Sequence, residues 1–591
     1  MSHRKLLTLA LTTAGALAMT AINTPASVAE DTGAAESTQT SSADQYENSV
    51  VTIVVQLTDD APALADMKER VNAAVAEVVP GASATGLREY THALHGFAIK
   101  APASSLAAIR AMPGVKAAFV DRHSATIYNV YQPNSSDDED QGKDNDPSHS
   151  TAMDMTAAAQ AAHRGSGQVI EIIDTGFDTS HSAFAGSVEG ARLSQADVTS
   201  LTTTLGDGRG GGWVSPKIPF AYDYADGDAD VTYPAPGEFP DQTDDARYTH
   251  GTHVAALAAS NGSEFRGAAP DAQLIMAKVL GDDDQDINDS VLLAALDDAA
   301  VLTPDVLVVS VGDDSGQNGD ALAVYADVYA ALTAKGVAIN APAGDYTSAA
   351  WGNWNSDNLP FATDADFGAI IWPALDSNAL AAASLDEVEK RDGEPLPGAT
   401  PSLFSSWGVT PDLRLKPEIA APGGDVMSAL PAGTYGRRAG TAEASAQVAG
   451  IAALVRQRIA DDPMFVGMSA ADKDAVVANF LMGTAHPVVD ATQADGAFYS
   501  PRQVGSGLVD AVAATTSPVY PSVVGAANPS RPKADLGDGT DGWSFQVQLT
   551  NVSGTDRTYT LGGQALSPTI EGNSFTFRSA NWTNTGIGLD F

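Results

Sequence analysis

The chain has 591 residues, 44% of them hydrophobic and 18% charged, with 54 Gly and 32 Pro. This composition belongs to a turn-rich globular protein of roughly three or four domains, and it argues against a disordered chain or a helix-only architecture. A formal net charge of −42 and the lack of any cysteine exclude nucleic-acid partners, anionic membrane surfaces, disulfides and thiolate metal sites.

His3, Arg4 and Lys5 precede an apolar run from Leu6 to about Ala21, and Ser27-Val28-Ala29 supplies the small residues that a signal peptidase reads. The pattern predicts a cleaved export signal over 1–29. Thr and Gly dilute the run too far for a convincing membrane span, and no later stretch is long and apolar enough for one, so no transmembrane anchor is expected after signal removal. Residues 30–48 carry almost no large apolar side chain and read as a linker.

A domain is predicted over 49–125. Val50 to Val55 reads as a buried strand, and Leu64, Met67, Val71 and Val75 space a helix over Ala63 to Val78. A strand pair spans Thr85 to Ala101, a second helix Ser104 to Met112 and a last strand Val115 to Val120. That order fits a small ferredoxin-like α+β unit. An acidic linker follows over 126–150, densest from Ser135 to Asp146.

From 151 to 515, short apolar strands such as Val169 to Ile173, Gln273 to Leu280 and Asp305 to Val311 alternate with helical stretches such as Asp289 to Ala300. The alternation predicts an α/β fold, a parallel sheet with helices on both faces and its functional residues at the carboxyl ends of the strands. Over 516–591 the pattern changes again. Trp543, Phe545, Val547 and Leu549 alternate with polar residues, and Thr558 to Leu561 adds a strand; together they predict a small β-sandwich, expected to be cut short at Phe591.

Two motifs carry chemistry. Ile172-Ile173-Asp174-Thr175-Gly176 ends an apolar strand in a carboxylate and a turn. An aspartic-protease reading of Asp-Thr-Gly needs a second such motif, which is missing, and a purely structural strand end stays open. Thr249-His250-Gly251-Thr252-His253-Val254-Ala255 places two histidines three apart. Zinc-protease helices space them four apart with a Glu after the first, so His250 reads better as an acid–base residue than as a metal ligand.

Asp174 and His250 in these blocks, in that chain order, resemble two of the three active-site blocks of the subtilisin-like serine peptidases. Phe220 to Asp226, Arg266 to Pro270, Phe404 to Gly408, Pro411 to Pro417 and Ala420 to Gly424 are similar to the bacterial cell-envelope branch of lactocepins and C5a peptidases. The resemblance implies a subtilisin-like parallel sheet over 151–515, a ferredoxin-like propeptide over 49–125 and a fibronectin-like β-sandwich after 516. It also places the nucleophile. The family's third block reads Gly-Thr-Ser-Met-Ala, whereas this chain has Gly440-Thr441-Ala442-Glu443-Ala444, with Val448-Ala449-Gly450 fixing the alignment on the far side. Ala442 therefore stands where the family has its nucleophilic serine. At the oxyanion position, after Gly344, stands Asp345 in place of the family's asparagine; it donates a hydrogen bond only when protonated. Ser310-Val311-Gly312 resembles the edge segment that pairs with extended substrate, and Gly344 belongs with it as a substrate-binding residue.

The resemblance implies an exported serine endopeptidase homologue, secreted or associated with the cell surface, whose cleft takes extended polypeptide and which carries its own propeptide. With Ala442 it is expected to be inactive. One alternative is an active endopeptidase in which Ser445 substitutes or in which Ala442 is an engineered or strain-specific change; departures at Glu443, Ala446 and Asp345 favour natural loss. Another alternative is a surface interaction protein acting through its C-terminal region. No cofactor is required by this chemistry. Structural calcium is compatible with the acidic composition, but no metal ligand is assignable.

Overall fold

Both faces of the first strand are covered, which explains its unbroken apolar run. In the computed structural model, β1 (Val50–Leu57) is followed by α1 (Leu64–Val78), β2 (Thr85–Tyr90), β3 (Gly96–Pro102), α2 (Leu106–Arg110) and β4 (Val115–Val120). The strands form an antiparallel sheet in the order β2-β3-β1-β4. Ile53, Val55 and Leu57 face Met67, Val71 and Val75 of α1, with Ile109 of α2 beside them, as the helical spacing predicts. Val54, on the other face, joins Tyr90, Leu94, Ala98 and Phe119 in an apolar cluster shared with the large domain. Each such side chain contributes about 1.5–3 kcal/mol by leaving water.

The structure describes residues 49–121, 123–124, 151–206, 209–234, 245–284, 286–312, 319–346, 370–386, 390–391, 394–395, 399–490, 498–526, 528, 530–536, 544–559, 565–570 and 577–582. The predicted export signal, the linker up to residue 48 and the acidic stretch Ser135 to Asp146 lie outside them.

The large domain is built on β6 (Val169–Asp174), β7 (Phe220–Asp223), α3 (Asp245–Ala259), β8 (Gln273–Lys278), β9 (Ile287–Asn288), α4 (Asp289–Leu302), β10 (Val306–Val309), α5 (Gly319–Ala334), β11 (Ala338–Pro342), β12 (Ala379–Asp386), β13 (Ile419–Gly424), β14 (Val426–Leu430), β15 (Thr434–Arg438) and α6 (Thr441–Asp461). Seven strands make one sheet in the order β13-β12-β11-β10-β6-β8-β7, parallel throughout. Ile170, Ile172, Met276, Val306 and Val308 pack on the side of α3 and α6. Ile173, Ile275, Ala277, Leu307 and Val309 pack on the side of α4 and α5. Strands buried on both faces read as continuous apolar runs, which is why no alternation marks them in the sequence.

Glu171 breaks that pattern in the central strand β6. It is fully buried, and neither carboxylate oxygen has a hydrogen-bond partner. Burial pushes its carboxyl well above the usual range, with the charge of Asp298 adding to the effect, so the site disfavours the charged form.

The N-terminal unit docks on α4 and α5 through polar contacts as well as the shared cluster. Asp297 of α4 accepts from the backbone N–H groups of Thr91, His92, Ala93 and Leu94 at 2.7–3.0 Å. Asp121 accepts from the backbone N–H of Ser290 in the first turn of α4, at 3.1 Å, and the Tyr90 hydroxyl donates to the carbonyl of Ser290 at 2.9 Å. A short strand, β5 (His123–Ser124), then pairs antiparallel with β9.

Beyond the sheet, β16 (Val519–Val524) pairs with β17 (Gln546–Asn551), and β18 (Ala565–Ile570) with β19 (Phe577–Trp582). These are small antiparallel sheets of two strands each. The alternation around β17 is real, but Phe545, Val547 and Leu549 are 43–55% exposed, so the described residues do not close a core over that face. Thr558 and Tyr559, the described part of the strand expected over Thr558 to Leu561, carry no strand; Thr560, Leu561 and the expected Trp543 lie outside the described residues.

Candidate active site

Three strand ends and two helix starts converge at the carboxyl edge of the sheet. β6 ends in Asp174, the chain after β10 turns at Ser310, and the chain after β11 turns at Gly344-Asp345. The helix α3 brings His250, and the first turn of α6 brings Ala442 and Glu443. All of these are buried, from Asp174 at 0% exposure to His250 at 7%.

The Asp174 carboxylate is saturated. Its Oδ1 accepts from His250 Nδ1 at 2.8 Å, from the Thr175 backbone N–H at 2.6 Å and from the Thr175 hydroxyl at 3.1 Å. Oδ2 accepts from the Ser310 hydroxyl, whose single proton is within reach of the Ile173 carbonyl as well, at 2.9 Å. The bond to Asp174 fixes the ring of His250 and leaves Nε2 for the proton-transfer side, the arrangement that a charge-relay pair requires. Close packing holds α3 in place: a Cβ at Gly251 would lie 2.2 Å from the Gly176 carbonyl and 3.1 Å from Asp174, so only glycine lets this helix approach the strand end.

Burial by itself lowers the pKa of His250, but the attraction and hydrogen bond of Asp174, followed by the charges of Glu443 and Asp345, outweigh it. The imidazole is pushed up to about 9.

On the other side, Gly344 sits at φ +111°, in the left-handed region, and a Cβ there would meet Ile371 at 2.6 Å and Ser406 at 2.7 Å. Glycine at 344 thus allows the turn that presents Asp345. Asp345 Oδ1 accepts from the backbone N–H and the hydroxyl of Thr441, both at 2.9 Å, and the Gly344 N–H donates to the same hydroxyl at 3.0 Å. Burial pushes the Asp345 carboxyl up to about 7; Glu443 adds to the rise, while the Thr441 bonds and His250 oppose it.

Ala442, 1% exposed, stands in the first turn of α6 and ends in a methyl group, so residue 442 supplies no nucleophilic atom. Ser445 does not replace it: it is fully buried in α6 and its hydroxyl has no hydrogen-bond partner, hence no base.

Sequence reading missed two roles. The Ser310 hydroxyl faces Asp174, so this residue orients the carboxylate besides opening the segment with Val311 and Gly312. Glu443, noted in the sequence only as a departure, is a buried carboxylate whose Oε1 lies 3.3 Å from His253 Nδ1, too poorly aligned for a full hydrogen bond. An acid in a helix start otherwise made of Thr, Ala and Ser, Thr441 to Ala446, was the available signal. The second histidine of the motif is therefore placed by its environment: His253 Nε2 bonds the Val426 carbonyl at 3.2 Å.

Two groups of side chains among the described residues lie close enough to hold a cation, His92/Asp297/Asp298 and Asp223/Asp226/Asp282. Each already has a basic side chain. Arg209 Nε stands 3.0 Å from Asp298, and Lys278 Nζ stands 2.5 Å from both Asp223 and Asp282.

A doubly covered parallel sheet with an Asp–His relay at its carboxyl edge and a helix start facing the histidine defines the architecture of the Asp-His-Ser order of serine hydrolases. The model of the subtilase family matches residues 165–507, and the chain belongs to that family. That of peptidase inhibitor I9 matches residues 27–126. Among curated proteins the chain is similar to a PII-type proteinase of Lacticaseibacillus paracasei, 24% identical over 676 residues, with 88% of this chain and 33% of the relative covered. A PI-type proteinase of Lactococcus lactis subsp. cremoris is 23% identical over 677 residues at the same coverage. A C5a peptidase of Streptococcus pyogenes is 33% identical over 180 residues, 30% of this chain and 15% of the relative. The chain spans about a third of the length of the two proteinases. No described helix is long and apolar enough to cross a membrane.

Proposed function

We propose that this chain is an exported subtilase homologue that binds extended polypeptide without cleaving it. The observations that carry this reading are the Asp174–His250 pair, held at 2.8 Å, and a residue 442, in the first turn of α6, that has no nucleophilic atom. Asp174 and His250 retain the positions of a relay, Ala442 marks the lost nucleophile, and Asp345 stands at the oxyanion position. Backbone groups along Ser310-Val311-Gly312, Gly344 and β9 pair with a peptide strand through main-chain hydrogen bonds, which need no serine.

The N-terminal domain is the first candidate to occupy that cleft. The resemblance to the subtilases implies a cut after this domain made by the enzyme's own nucleophile; without a nucleophile that cut is not made in cis. The domain therefore remains covalently attached, with β5 directed along β9, and the boundaries 49–125 and 151–515 describe one unprocessed molecule.

The reading is tested on secreted full-length protein by fluorophosphonate labelling, hydrolysis of casein and intact-mass measurement. The expected result is no label, no His250-dependent hydrolysis and a mass that retains the N-terminal domain. Labelling together with hydrolysis abolished by His250→Ala would establish the active-peptidase alternative instead.

A further inference from the structure

Loss of one hydroxyl does not account for the carboxylates gathered around it. Glu443 is 2% exposed, and while its Oε1 lies near His253, its Oε2 is buried without a hydrogen-bond partner. Gly440 shows where that oxygen points. A Cβ at Gly440 would stand 2.6 Å from Glu443 Oε2 and 3.3 Å from Asp345 Oδ2. The two oxygens thus face one small space, which the lack of a side chain at 440 keeps open. Other charged groups around it are His250 of α3, bonded to Asp174 of β6, and His253; Arg438 of β15 bonds Thr249, the residue before His250.

Two carboxylates in so small a buried space cannot both be ionised at low cost, and a single proton held between them relieves the repulsion. We propose that Asp345 and Glu443 share one proton across the space beside Gly440, and that this carboxyl dyad is a second block on catalysis, independent of Ala442. The proposal rests on the non-cleaving reading and deepens it by naming Glu443 as the residue that keeps the site silent.

The chemistry follows from where the proton goes. When Asp345 is protonated, its O–H is directed to Glu443 and not to a substrate carbonyl, so the oxyanion position has no side-chain donor. When the proton leaves, two negative charges repel a developing oxyanion. Asp174 raises His250 most, against the effect of burial, and the two carboxylates add to it, so the imidazole is pushed up to about 9, whereas the Asp345 carboxyl is pushed up only to about 7. Base and donor are therefore not competent at the same pH, even with a serine restored.

The test compares full-length wild type, Ala442→Ser, and Ala442→Ser combined with Asp345→Asn and Glu443→Met. Fluorophosphonate labelling and self-release of the N-terminal domain are followed from pH 5 to 10. Ala442→Ser alone is expected to label at least about 100-fold more slowly at pH 7 than the triple variant, the scale of an oxyanion donor's contribution. The His250 titration midpoint, read by NMR of the imidazole carbons, is expected to fall by about one unit or more in Glu443→Gln in the wild-type background. Equal labelling of Ala442→Ser and the triple variant overturns the dyad while leaving the role of Ala442 intact, and so does a His250 midpoint that Glu443→Gln does not move. Labelling of the wild type would instead overturn the non-cleaving reading itself. Should the triple variant not fold, the NMR titration decides alone.

Discussion

The site has two halves that have fared differently. Around Asp174 and His250, every polar atom of the carboxylate is used, and Gly251 lets the helix approach the strand end. Around Ala442, Asp345 lies buried against Thr441, and Glu443 brings a second buried carboxylate with an unpartnered oxygen. The difference teaches that a relay pair persists for structural reasons. A buried carboxylate with four donors is costly to remove whether or not it serves catalysis.

The largest expected effect follows from that contrast. Asp174→Ala strands the His250 charge and leaves the Thr175 backbone N–H unpaired, while the Thr175 and Ser310 hydroxyls keep the carbonyls of Arg247 and Ile173, so it is expected to destabilise the protein by about 3–5 kcal/mol. Denaturant melts at neutral pH check it, and a loss under about 1 kcal/mol would show that the intact half has no structural role. Next comes Asp297→Ala, which removes the acceptor of four backbone N–H groups and is expected to cost about 3 kcal/mol. Limited proteolysis should then cut the loop at residues 91–94 much faster, and unchanged cleavage would refute the claim that Asp297 holds the N-terminal domain.

The rebuilt half predicts the opposite sign. Asp345 titrates at about 7 when folded against about 3.9 when unfolded. Its raised value contributes stability that is fully present below the unfolded pKa and is lost as pH rises through the folded one. Asp345→Asn is therefore expected to leave stability at pH 4 little changed and to add about 2 kcal/mol at pH 8; thermal melts at both values check it. The smallest effect, outside the site, is at Glu171. Replacing it with Gln removes an acid with two unpartnered buried oxygens, and a gain of about 1 kcal/mol at pH 8 is expected. Because burial holds the Glu171 carboxyl above its unfolded range, the gain should fade as pH drops toward about 4. A pH-independent change would mean that Glu171 is already solvated or paired.

Much of this was legible before any coordinates. Met67, Val71 and Val75 gave the helix spacing and its buried face together, and the apolar runs ending in Asp174 and at Ser310 marked strands of a buried sheet. The exposed face of β17 was not legible. Alternation of Phe545, Val547 and Leu549 specifies a strand with one apolar face, but what covers that face depends on partners far away in the chain. The role of Ser310 was hidden for the same reason, since its hydroxyl meets Asp174 across 136 positions of sequence.

By itself, the sequence determined the class of fold and, through its resemblance to the subtilases, singled out Asp174 and His250, because periodicity and short motifs are local. Only the tertiary structure decided what surrounds Ala442. Whether Glu443 is a solvated acid or a buried one, and whether its oxygen meets Asp345, depends on packing that brings together α3, α6 and the turn after β11. The ionisation of a carboxyl is set by the neighbours and the water around it, and those are properties of the folded chain.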